Sequence, residues 1–430
     1  MKAVIMAGGQ GTRLKEITGD DIPKPMIKIC DKPILEHQII NLIHYGIKDF
    51  IFIVGYKNDV IKDYFGDGTR YGASIKYIVE ETPLGTAGAL YYLKGEDDDF
   101  ILLFGDLMLD IAWDRFISFH REKQALVSLF AHPNSHPFDS DLINRDDEDI
   151  LISFDSKSNV RNYFYPNLVN AGVYIVSPKS LKVLKTLQKV DFEKEFLNGL
   201  IPSKKICVYR SSEYVKDVGT PERYYLVTDD YKNGIIAKKN LSNKQKCIFV
   251  DRDGTINKFV GFLTNIDDLS LIARAAEAVK MVNHSEYLII VITNQPVIAR
   301  GEVTFAQMKD IHNKMETLLG REGAYLDDIS FCPHHPDRGF EGEVPELKIV
   351  CECRKPKIGQ LLKEQAKFNI DFKQSYMIGD SMQDIQTGVN AGVKTILLSC
   401  GAPIRTDYYK VEPDDKVFDL YDAIARILKK

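Results

Sequence analysis

Two aspartates spaced one residue apart directly follow an apolar segment of the sequence. Residues 248–250 are apolar, and Asp251 and Asp253 come immediately after them, with Gly254 next. Residues two apart in an extended chain point to the same side, so both carboxylates can face one ligand. Gly254 permits the sharp turn that must follow such a strand. The spacing therefore predicts a carboxylate pair at the carboxyl end of a strand.

Later segments add three further polar groups to this pair. Thr293 ends an apolar run, Lys355 stands directly before Pro356, and Asp380 ends another apolar run. A hydroxyl, a fixed cation and further carboxylates are groups that bind phosphate and a divalent cation. Asp384 follows soon after, and an ordinary carboxylate at the start of a helix explains it equally well.

The motifs DRDGT, TNQ, RKP and GDS together resemble the haloacid-dehalogenase phosphatase superfamily. The resemblance implies that Asp251 attacks phosphorus and forms an aspartyl phosphate, while Asp253 protonates the leaving alkoxide and then activates water. It also implies that Thr293 and Lys355 hold the phosphoryl oxygens. Mg²⁺ would be held by Asp251, Asp253 (through its carbonyl) and Asp380.

A cysteine and histidine cluster lies between these motifs. Cys332 and His334 are followed, sixteen residues later, by Cys351 and Cys353. Four such ligands in two close pairs suit a tetrahedral, structural Zn²⁺ that ties a long loop. His335 is a possible substitute ligand, and buried free thiols with a surface histidine pair are the alternative. The motifs CPHHP and CECRKP resemble the branch that holds heptose 1,7-bisphosphate and histidinol-phosphate phosphatases.

The start of the chain carries a glycine-rich loop after an apolar segment. Gly8, Gly9, Gly11, Thr12 and Arg13 follow residues 3–6. Glycines let the backbone approach a ligand and turn N–H groups toward phosphate oxygens, and Arg13 adds a planar cation. The loop has neither Walker nor dinucleotide spacing. Taken alone, it could be only a tight turn.

Three further residues strengthen the interpretation as a phosphate site. Lys24 lies between two prolines, which restricts its backbone. Asp106 ends an apolar run, and Asp217 supplies a second carboxylate. A single aspartate at a strand end is often a cap or turn residue. Two of them, with an arginine and a lysine, predict a site for a divalent cation and a triphosphate.

The motifs GGQGTRL, PKP, PLGTAGAL, GD and DVGTPERY resemble the sugar-1-phosphate nucleotidyltransferases over residues 1–231. The resemblance implies that the glycine loop, Arg13 and Lys24 hold a nucleoside triphosphate and that Asp106 and Asp217 hold Mg²⁺. The base and ribose would lie against Gly85, Thr86 and Gly88. The sugar would contact Asn170, Gly172, Glu193 and Lys194.

The chemistry implied for this half is attack by a sugar 1-phosphate oxygen on the α-phosphorus, with loss of pyrophosphate. The attacking phosphate is already ionised, so the difficulty is bringing two anions together. Mg²⁺, Arg13, Lys24 and Lys194 can offset that repulsion. Glu193 and Lys194 could instead be an exposed pair at a helix start.

Strands and helices must alternate to position these groups. The pattern predicts two doubly wound α/β domains, in which ligands bind at the carboxyl ends of strands. The resemblance implies a Rossmann-like mixed sheet in the first and a haloacid-dehalogenase-like sheet with a zinc loop in the second. We predict domains at 1–235 and 247–430, with a linker at 236–246. Predicted strands are 3–6, 50–54, 75–79, 100–104, 247–250, 287–292, 375–378 and 393–398; predicted helices are 33–45, 86–93, 273–283 and 305–319.

Composition excludes several classes of function. The 430 residues carry a net charge of -5, which gives no electrostatic reason to expect nucleic acid or an anionic membrane surface. No apolar run approaches the ~20 residues of a membrane span. Seven cysteines, three of them clustered near histidines, favour metal binding over disulfides. We expect a cytoplasmic enzyme with small-molecule substrates; the sequence leaves its oligomeric state open.

Together the two halves predict consecutive steps in making a nucleotide-activated heptose. The phosphatase would remove the 7-phosphate of a heptose 1,7-bisphosphate, and the other half would transfer a nucleotidyl group to the remaining 1-phosphate. GTP is favoured only by the resemblance; Glu80 and Glu81 could accept from a purine amino group. Arg300 and Arg354 are expected to contact the sugar or a second phosphate. Alternatives are a mannose-type transferase, a phosphatase for another substrate such as histidinol phosphate, or a nucleotide-sensing first half without catalysis.

Overall fold

The computed structural model describes residues 1–9, 14–19, 21–400 and 409–429. Gly11, Thr12 and Arg13 of the predicted phosphate loop lie outside the described residues. The chain divides into two compact units. The first comprises 1–132, 143–155 and 170–240, and the second comprises 133–142, 156–169 and 241–430. Two short segments from the first half of the sequence therefore belong to the second unit.

The first half of the sequence forms a sheet whose central strands are continuous apolar runs. All five residues of its first strand are buried, as expected for strands covered on both faces. Besides this nine-stranded sheet, β2 pairs with β3 and β7 with β13 in two small sheets. The strands of this half are β1 Ala3–Ala7, β2 Lys28–Ile29, β3 Lys32–Pro33, β4 Asp49–Val54, β5 Ser74–Val79, β6 Phe100–Phe104, β7 Leu107–Asp110, β8 Val127–His132, β9 Leu142–Arg145, β10 Leu151–Asp155, β11 Val169–Val176, β12 Ile206–Arg210 and β13 Tyr214–Asp217. Its helices are α1 Lys15–Thr18, α2 Ile34–His44, α3 Asn58–Phe65, α4 Trp113–Lys123, α5 Asn198–Leu200, α6 Pro221–Lys232 and α7 Ile235–Lys238.

This sheet is mixed. Its order is β10-β9-β11-β6-β1-β4-β5, with β8 paired to β11 and β12. β1 is parallel to both β4 and β6, whereas β11 is antiparallel to β6. Because β1 has parallel neighbours on both sides, the loops after β1 and β6 meet at one edge, where α/β sheets bind ligands.

The second half of the sequence forms a six-stranded parallel sheet in the order β16-β15-β14-β17-β18-β19. The chain direction across the sheet reverses between β14 and β17, which places a binding crevice at their carboxyl ends. The strands are β14 Lys246–Val250, β15 Tyr287–Asn294, β16 Asp328–Cys332, β17 Tyr376–Gly379, β18 Lys394–Leu398 and β19 Asp415–Val417. The helices are α8 Ala275–Asn283, α9 Pro296–Ala299, α10 Phe305–Arg321, α11 Gly359–Phe368, α12 Met382–Ala391 and α13 Leu420–Leu428.

The predicted strands are all present, to within one or two residues at their ends. The stretch predicted as helical at 86–93 is a 3-10 helix that begins two residues later, at Gly88–Leu93. Gly88 is packed so closely that a Cβ there would overlap the carbonyl oxygen of Gln188. The predicted linker begins within α7 and ends where β14 begins. No helix among the described residues is long and apolar enough to cross a membrane.

Candidate active sites

The carboxyl ends of β14 and β17 bring three carboxylates together. These strands are paired, so Asp251 and Asp380, which follow them, lie side by side. Oxygen atoms of Asp251, Asp380 and Asp384 all lie within 4.8 Å of one another. Gly254 has φ 80°, and a Cβ there would overlap the Asp380 carboxylate. Three oxygen donors held this closely fit Mg²⁺.

Lys355 is the cation of this cluster. Its Nζ donates to Oδ1 of Asp251 at 2.8 Å and also to Asp384, and its side chain is only 2% exposed. The Asn294 side chain holds the Lys355 backbone, accepting from its N–H at 3.0 Å and donating to its carbonyl. Burial raises the pKa of Asp251, and Lys355 acts in the opposite direction. Although burial opposes it, the two carboxylates raise the pKa of Lys355, which therefore stays charged.

Asp253 has its own set of donors. Nε and Nη2 of Arg252 contact both of its oxygens at 2.8–3.2 Å. Nδ2 of Asn257 donates to Oδ1, and Nε2 of Gln295 donates to Oδ2, each at 2.9 Å. Burial alone would raise the pKa of Asp253, but these donors outweigh it and the pKa lies below its usual value. Gln295 also donates to the hydroxyl of Thr293, the second-last residue of β15.

The four predicted zinc ligands converge. The sulfur atoms of Cys332, Cys351 and Cys353 lie 3.2–3.5 Å apart, and Nδ1 of His334 is 3.2 Å from the Cys353 sulfur. A tetrahedral zinc with ~2.3 Å bonds to sulfur has sulfur–sulfur edges of roughly 3.8 Å, so the cluster could hold zinc with little adjustment. His335 lies outside the cluster, and its Nδ1 accepts from the backbone of Asp337. The neighbouring Cys332 thiol lowers the pKa of Cys353.

Two arginines lie near this cluster. The guanidinium of Arg300 is stacked between the rings of Phe262, at 4.1 Å, and Phe340, at 4.5 Å. Arg354 donates to the carbonyl of His334 at 3.2 Å. Burial lowers the pKa of His335, and Arg354 and Arg300 lower it further, as expected if these cations lie close together.

The first unit has a cavity at the carboxyl ends of β1 and β6. Its volume is about 290 Å³. Glu80, half-buried on its wall, accepts from the backbone N of Leu84 at 3.1 Å, and burial raises the pKa of its carboxyl. The lining residues are Met6, Gly8, Gly9, Lys24, Pro25, Glu80, Pro83, Leu84, Gly85, Thr86, Phe104 and Asp106.

Lys24 and the two predicted metal-binding aspartates meet beside this cavity. Lys24 forms an ion pair with Asp106. The carbonyl of Asp106 accepts from the N–H of Val218 at 2.9 Å, so Asp217 is attached to the neighbouring backbone. Asp217 forms an ion pair with Arg223. Two carboxylates on adjacent backbone positions can share a Mg²⁺ with phosphate oxygens.

Asn170 and Glu193 of the predicted sugar site are in contact. Nδ2 of Asn170 donates to Oε1 of Glu193 at 2.7 Å. Gly172, with φ 75°, lies on the same strand, and a Cβ there would meet Phe104. Glu193 and Lys194 lie in a π-helix, Phe192–Leu197, and their backbone N–H groups donate to the side chain of Asp191. The Lys194 side chain is exposed.

Comparison with known proteins decides the family. The nucleotidyl transferase family matches residues 2–234, and the HAD-hydrolase-like family matches residues 352–423. The chain belongs to the nucleotidyl transferase family, and its second half is a HAD-like phosphatase.

Each half of the chain aligns with most of the length of a known protein. D-glycero-α-D-manno-heptose 1-phosphate guanylyltransferase of Campylobacter jejuni is 37% identical over 227 residues, which is 52% of this chain and 97% of that protein. D-glycero-β-D-manno-heptose-1,7-bisphosphate 7-phosphatase of Yersinia pestis is 39% identical over 161 residues, 37% of this chain and 84% of that protein. The crystal structure of HddC from Yersinia pseudotuberculosis is 28% identical and covers 54% of this chain and 99% of its own, with a TM-score of 0.47.

In the nucleotidyl transferase half, the structure brings together most of the predicted residues that it describes. Gly8, Gly9, Lys24, Gly85 and Thr86 line one cavity with Asp106. Gly88 is not in that lining and packs against Gln188. The hydroxyl of Thr86 accepts from the backbone N of Phe192 at 2.7 Å, so it ties the second loop to the π-helix that carries Glu193 and Lys194.

In the phosphatase half, the geometry includes residues that sequence reasoning missed. Arg252, Asn257 and Gln295 hold Asp253, and Asn294 holds Lys355. Arg252 stands between the two aspartates of the motif, and a cation at that position could have been noticed. Asp384 accepts from both N–H and Oγ of Ser381 at the start of α12, as the helix-start explanation predicts, and it also contacts Lys355.

Proposed function

We propose that this chain removes the 7-phosphate of a D-glycero-D-manno-heptose 1,7-bisphosphate and then joins the remaining heptose 1-phosphate to GMP taken from GTP. The observation that carries the proposal is that the two halves of one chain match a heptose phosphatase and a heptose guanylyltransferase. Each half also groups side chains that can bind phosphate and Mg²⁺, and Gly11, Thr12 and Arg13 of the first phosphate loop lie outside the described residues.

In the phosphatase half, a carboxylate oxygen of Asp251 attacks the phosphorus and the ester oxygen leaves. Asp253 gives that oxygen a proton and later takes one from the water that hydrolyses the aspartyl phosphate. Lys355 and Thr293 hold the phosphoryl oxygens. Mg²⁺ held by Asp251, Asp380 and the Asp253 carbonyl would offset the negative charge that the phosphate brings to three carboxylates.

In the nucleotidyl transferase half, the heptose 1-phosphate oxygen attacks the α-phosphorus of GTP and pyrophosphate leaves. Gly8, Gly9, Gly85 and Thr86 form walls close enough for a nucleotide, and Gly11, Thr12 and Arg13 would complete the phosphate loop. Lys24 lies against Asp106, where it can approach the α-phosphate. Mg²⁺ held by Asp106 and Asp217 would offset the charge of the triphosphate.

The sugar would lie against Asn170, Glu193 and Gly172. The contact between Asn170 and Glu193 leaves carboxylate and amide groups that can pair with sugar hydroxyls. Lys194, exposed at the start of the same π-helix, would bind the sugar phosphate. In the other half, Arg300 and Arg354 would contact the sugar or its anomeric phosphate, and Cys332, His334, Cys351 and Cys353 would hold a structural zinc.

The names of the two relatives specify different anomers, β for the phosphatase and α for the guanylyltransferase. Removing a phosphate from carbon 7 leaves carbon 1 untouched. One chain that catalyses both steps in sequence must therefore use the same anomer in both. A test with each anomer separately shows which one this is.

The test incubates the full chain with Mg²⁺ and each of the four common nucleoside triphosphates. The sugar or phosphomonoester is in turn each anomer of the heptose bisphosphate, mannose 1-phosphate and histidinol phosphate. We expect one anomer to release both phosphate and pyrophosphate, with GTP the best donor. Phosphate release without pyrophosphate for every nucleotide would favour a non-catalytic first half. Turnover only with mannose 1-phosphate or histidinol phosphate would assign other substrates, and no release from any compound would overturn the proposal.

A further inference from the structure

Arg252 is a fully buried charged residue beside the phosphatase site, and the proposed reaction gives it no part. Its side chain is 0% exposed, although it stands between the two aspartates of the motif. Burying a guanidinium costs free energy unless it is paired and hydrogen-bonded. A cation placed here at that cost needs a reason beyond packing.

Both ends of the Arg252 guanidinium donate hydrogen bonds. Nε and Nη2 face the two oxygens of Asp253, with the shortest contact at 2.8 Å. Nη1 points the other way and donates to Nε2 of His312 and to the sulfur of Met308, each at 3.2 Å. Met308 and His312 are one turn apart on α10, so both contact the guanidinium on the side that faces away from Asp253.

His312 must accept in this contact, because an arginine can only donate. Its Nε2 is therefore unprotonated, and the ring packs edge-on against Phe331 at 5.3 Å. The imidazole is fixed by that ring and by the helix. It can fix the guanidinium in turn, and the planar fork of the guanidinium matches a carboxylate.

Asp253 has a demanding task in the proposed reaction. Its carboxyl must give a proton to the leaving oxygen and later accept one from water, so rotation about its terminal bond would misplace the proton. The fixed guanidinium of Arg252 on one edge resists that rotation. Asn257 and Gln295 bind the remaining lone pairs of the ionised carboxylate, and one of these two amides must release its oxygen when the carboxyl carries its proton. The guanidinium also neutralises a charge that would otherwise add to the neighbouring carboxylates.

We propose that Arg252, held from behind by His312, is the positioning residue for the carboxylate of Asp253. The proposal rests on the proposed phosphatase function and deepens it. Nε and Nη2 of Arg252 orient the acid–base carboxylate of Asp253, and His312 on α10 orients the guanidinium of Arg252. His312 thus acts on the reaction through Arg252, without touching substrate.

The test compares steady-state kinetics of phosphate release in the full chain. Arg252→Met should lower kcat about 100-fold, at the lower end of general acid–base contributions, with KM changed less than about twofold. Arg252→Lys should recover part of that loss, since it keeps the charge without the fork. His312→Leu should lower kcat about tenfold, and His312→Gln, whose amide oxygen can accept from Arg252, should lose less.

Asp310→Asn, on an exposed position of the same helix, is the matched control and should behave as wild type. Thermal unfolding of each variant shows whether it is folded. A folded Arg252→Met with wild-type kcat would overturn the inference, as would equal losses in His312→Leu and His312→Gln. If wild type itself releases phosphate from no phosphomonoester, the proposed function fails first, and this inference fails with it.

Discussion

Nζ of Lys355 donates to Oδ1 of Asp251 at 2.8 Å across 104 residues of sequence. The ammonium is buried, and Asp384 contacts it from the other side. An ammonium shared between two carboxylates keeps Asp251 oriented while leaving one of its oxygens for attack. A phosphoryl group entering the site would meet both the nucleophile and the cation that binds its oxygens.

The first prediction separates the two activities. Asp251→Asn removes the nucleophile but keeps an oxygen that can accept from Lys355, so the phosphatase half should still fold. Phosphate release should fall by roughly 10⁴-fold or more, as in other enzymes that lose their nucleophile. Guanylyl transfer from supplied heptose 1-phosphate should remain. Asp268→Asn, at an exposed position of the same half, is the control. Loss of both activities would mean that the two sites are coupled.

A second prediction concerns Gly88, the first residue of the 3-10 helix that follows the cavity-lining residues Gly85 and Thr86. Gly88→Ala would place a Cβ against the carbonyl oxygen of Gln188, whereas Gly95→Ala meets nothing within 4 Å. Overpacking of this kind costs about 1–3 kcal/mol of unfolding free energy. Gly88→Ala should therefore lower the melting temperature and slow pyrophosphate release, and Gly95→Ala should do neither. Equal melting temperatures and equal rates for the two variants would show that the backbone around Gln188 can move aside.

The cysteine cluster gives a prediction about metal content. Cys353→Ser removes the sulfur that contacts Cys332, Cys351 and His334, so bound zinc should drop to near zero in elemental analysis of the purified chain. The phosphatase half should then melt at lower temperature, because binding energy of a structural zinc is folding energy. Cys30→Ser, at an exposed position of the other half, should retain the metal. Wild-type protein that contains no zinc and is insensitive to chelators would contradict the assignment.

The pH dependence of stability follows from His312. Burial, with a further contribution from Arg252, lowers the pKa of His312 to about 3, against 6.5 in an unfolded chain. Between pH 3 and pH 6.5 the unfolded state therefore binds a proton at His312 that the folded state does not bind. The contribution of His312 to the free energy of unfolding is complete above pH 6.5 and is lost as the pH falls toward 3.

His312→Gln has no such proton to bind. Its unfolding free energy should therefore fall less than that of wild type between about pH 7 and pH 5, measured by urea titration followed by circular dichroism. Parallel pH curves for the two proteins would mean that His312 is already accessible to protons in the folded state.

Local sequence patterns determined the chemistry of both halves. The aspartates at 251 and 253 follow an apolar run, and such runs form central parallel strands because both faces are covered. Ligands bind at the carboxyl ends of such strands, so the sequence predicted where the sites lie. The spacing of Cys332, His334, Cys351 and Cys353 was sufficient to indicate a metal cluster. In all these cases the partners are near in sequence, or the sheet topology brings them together.

Only the tertiary structure decided which distant side chains meet. Lys355 reaches Asp251 across 104 residues, and α10 supplies His312 to Arg252 across 60. Segments 133–142 and 156–169 belong to the second unit, where Tyr165 contacts Thr317 across 152 residues. The close approach of Gly88 to the carbonyl of Gln188 is likewise visible only in the tertiary structure. Periodicity reports which face of an element is buried; it carries no information on what that face will be buried against.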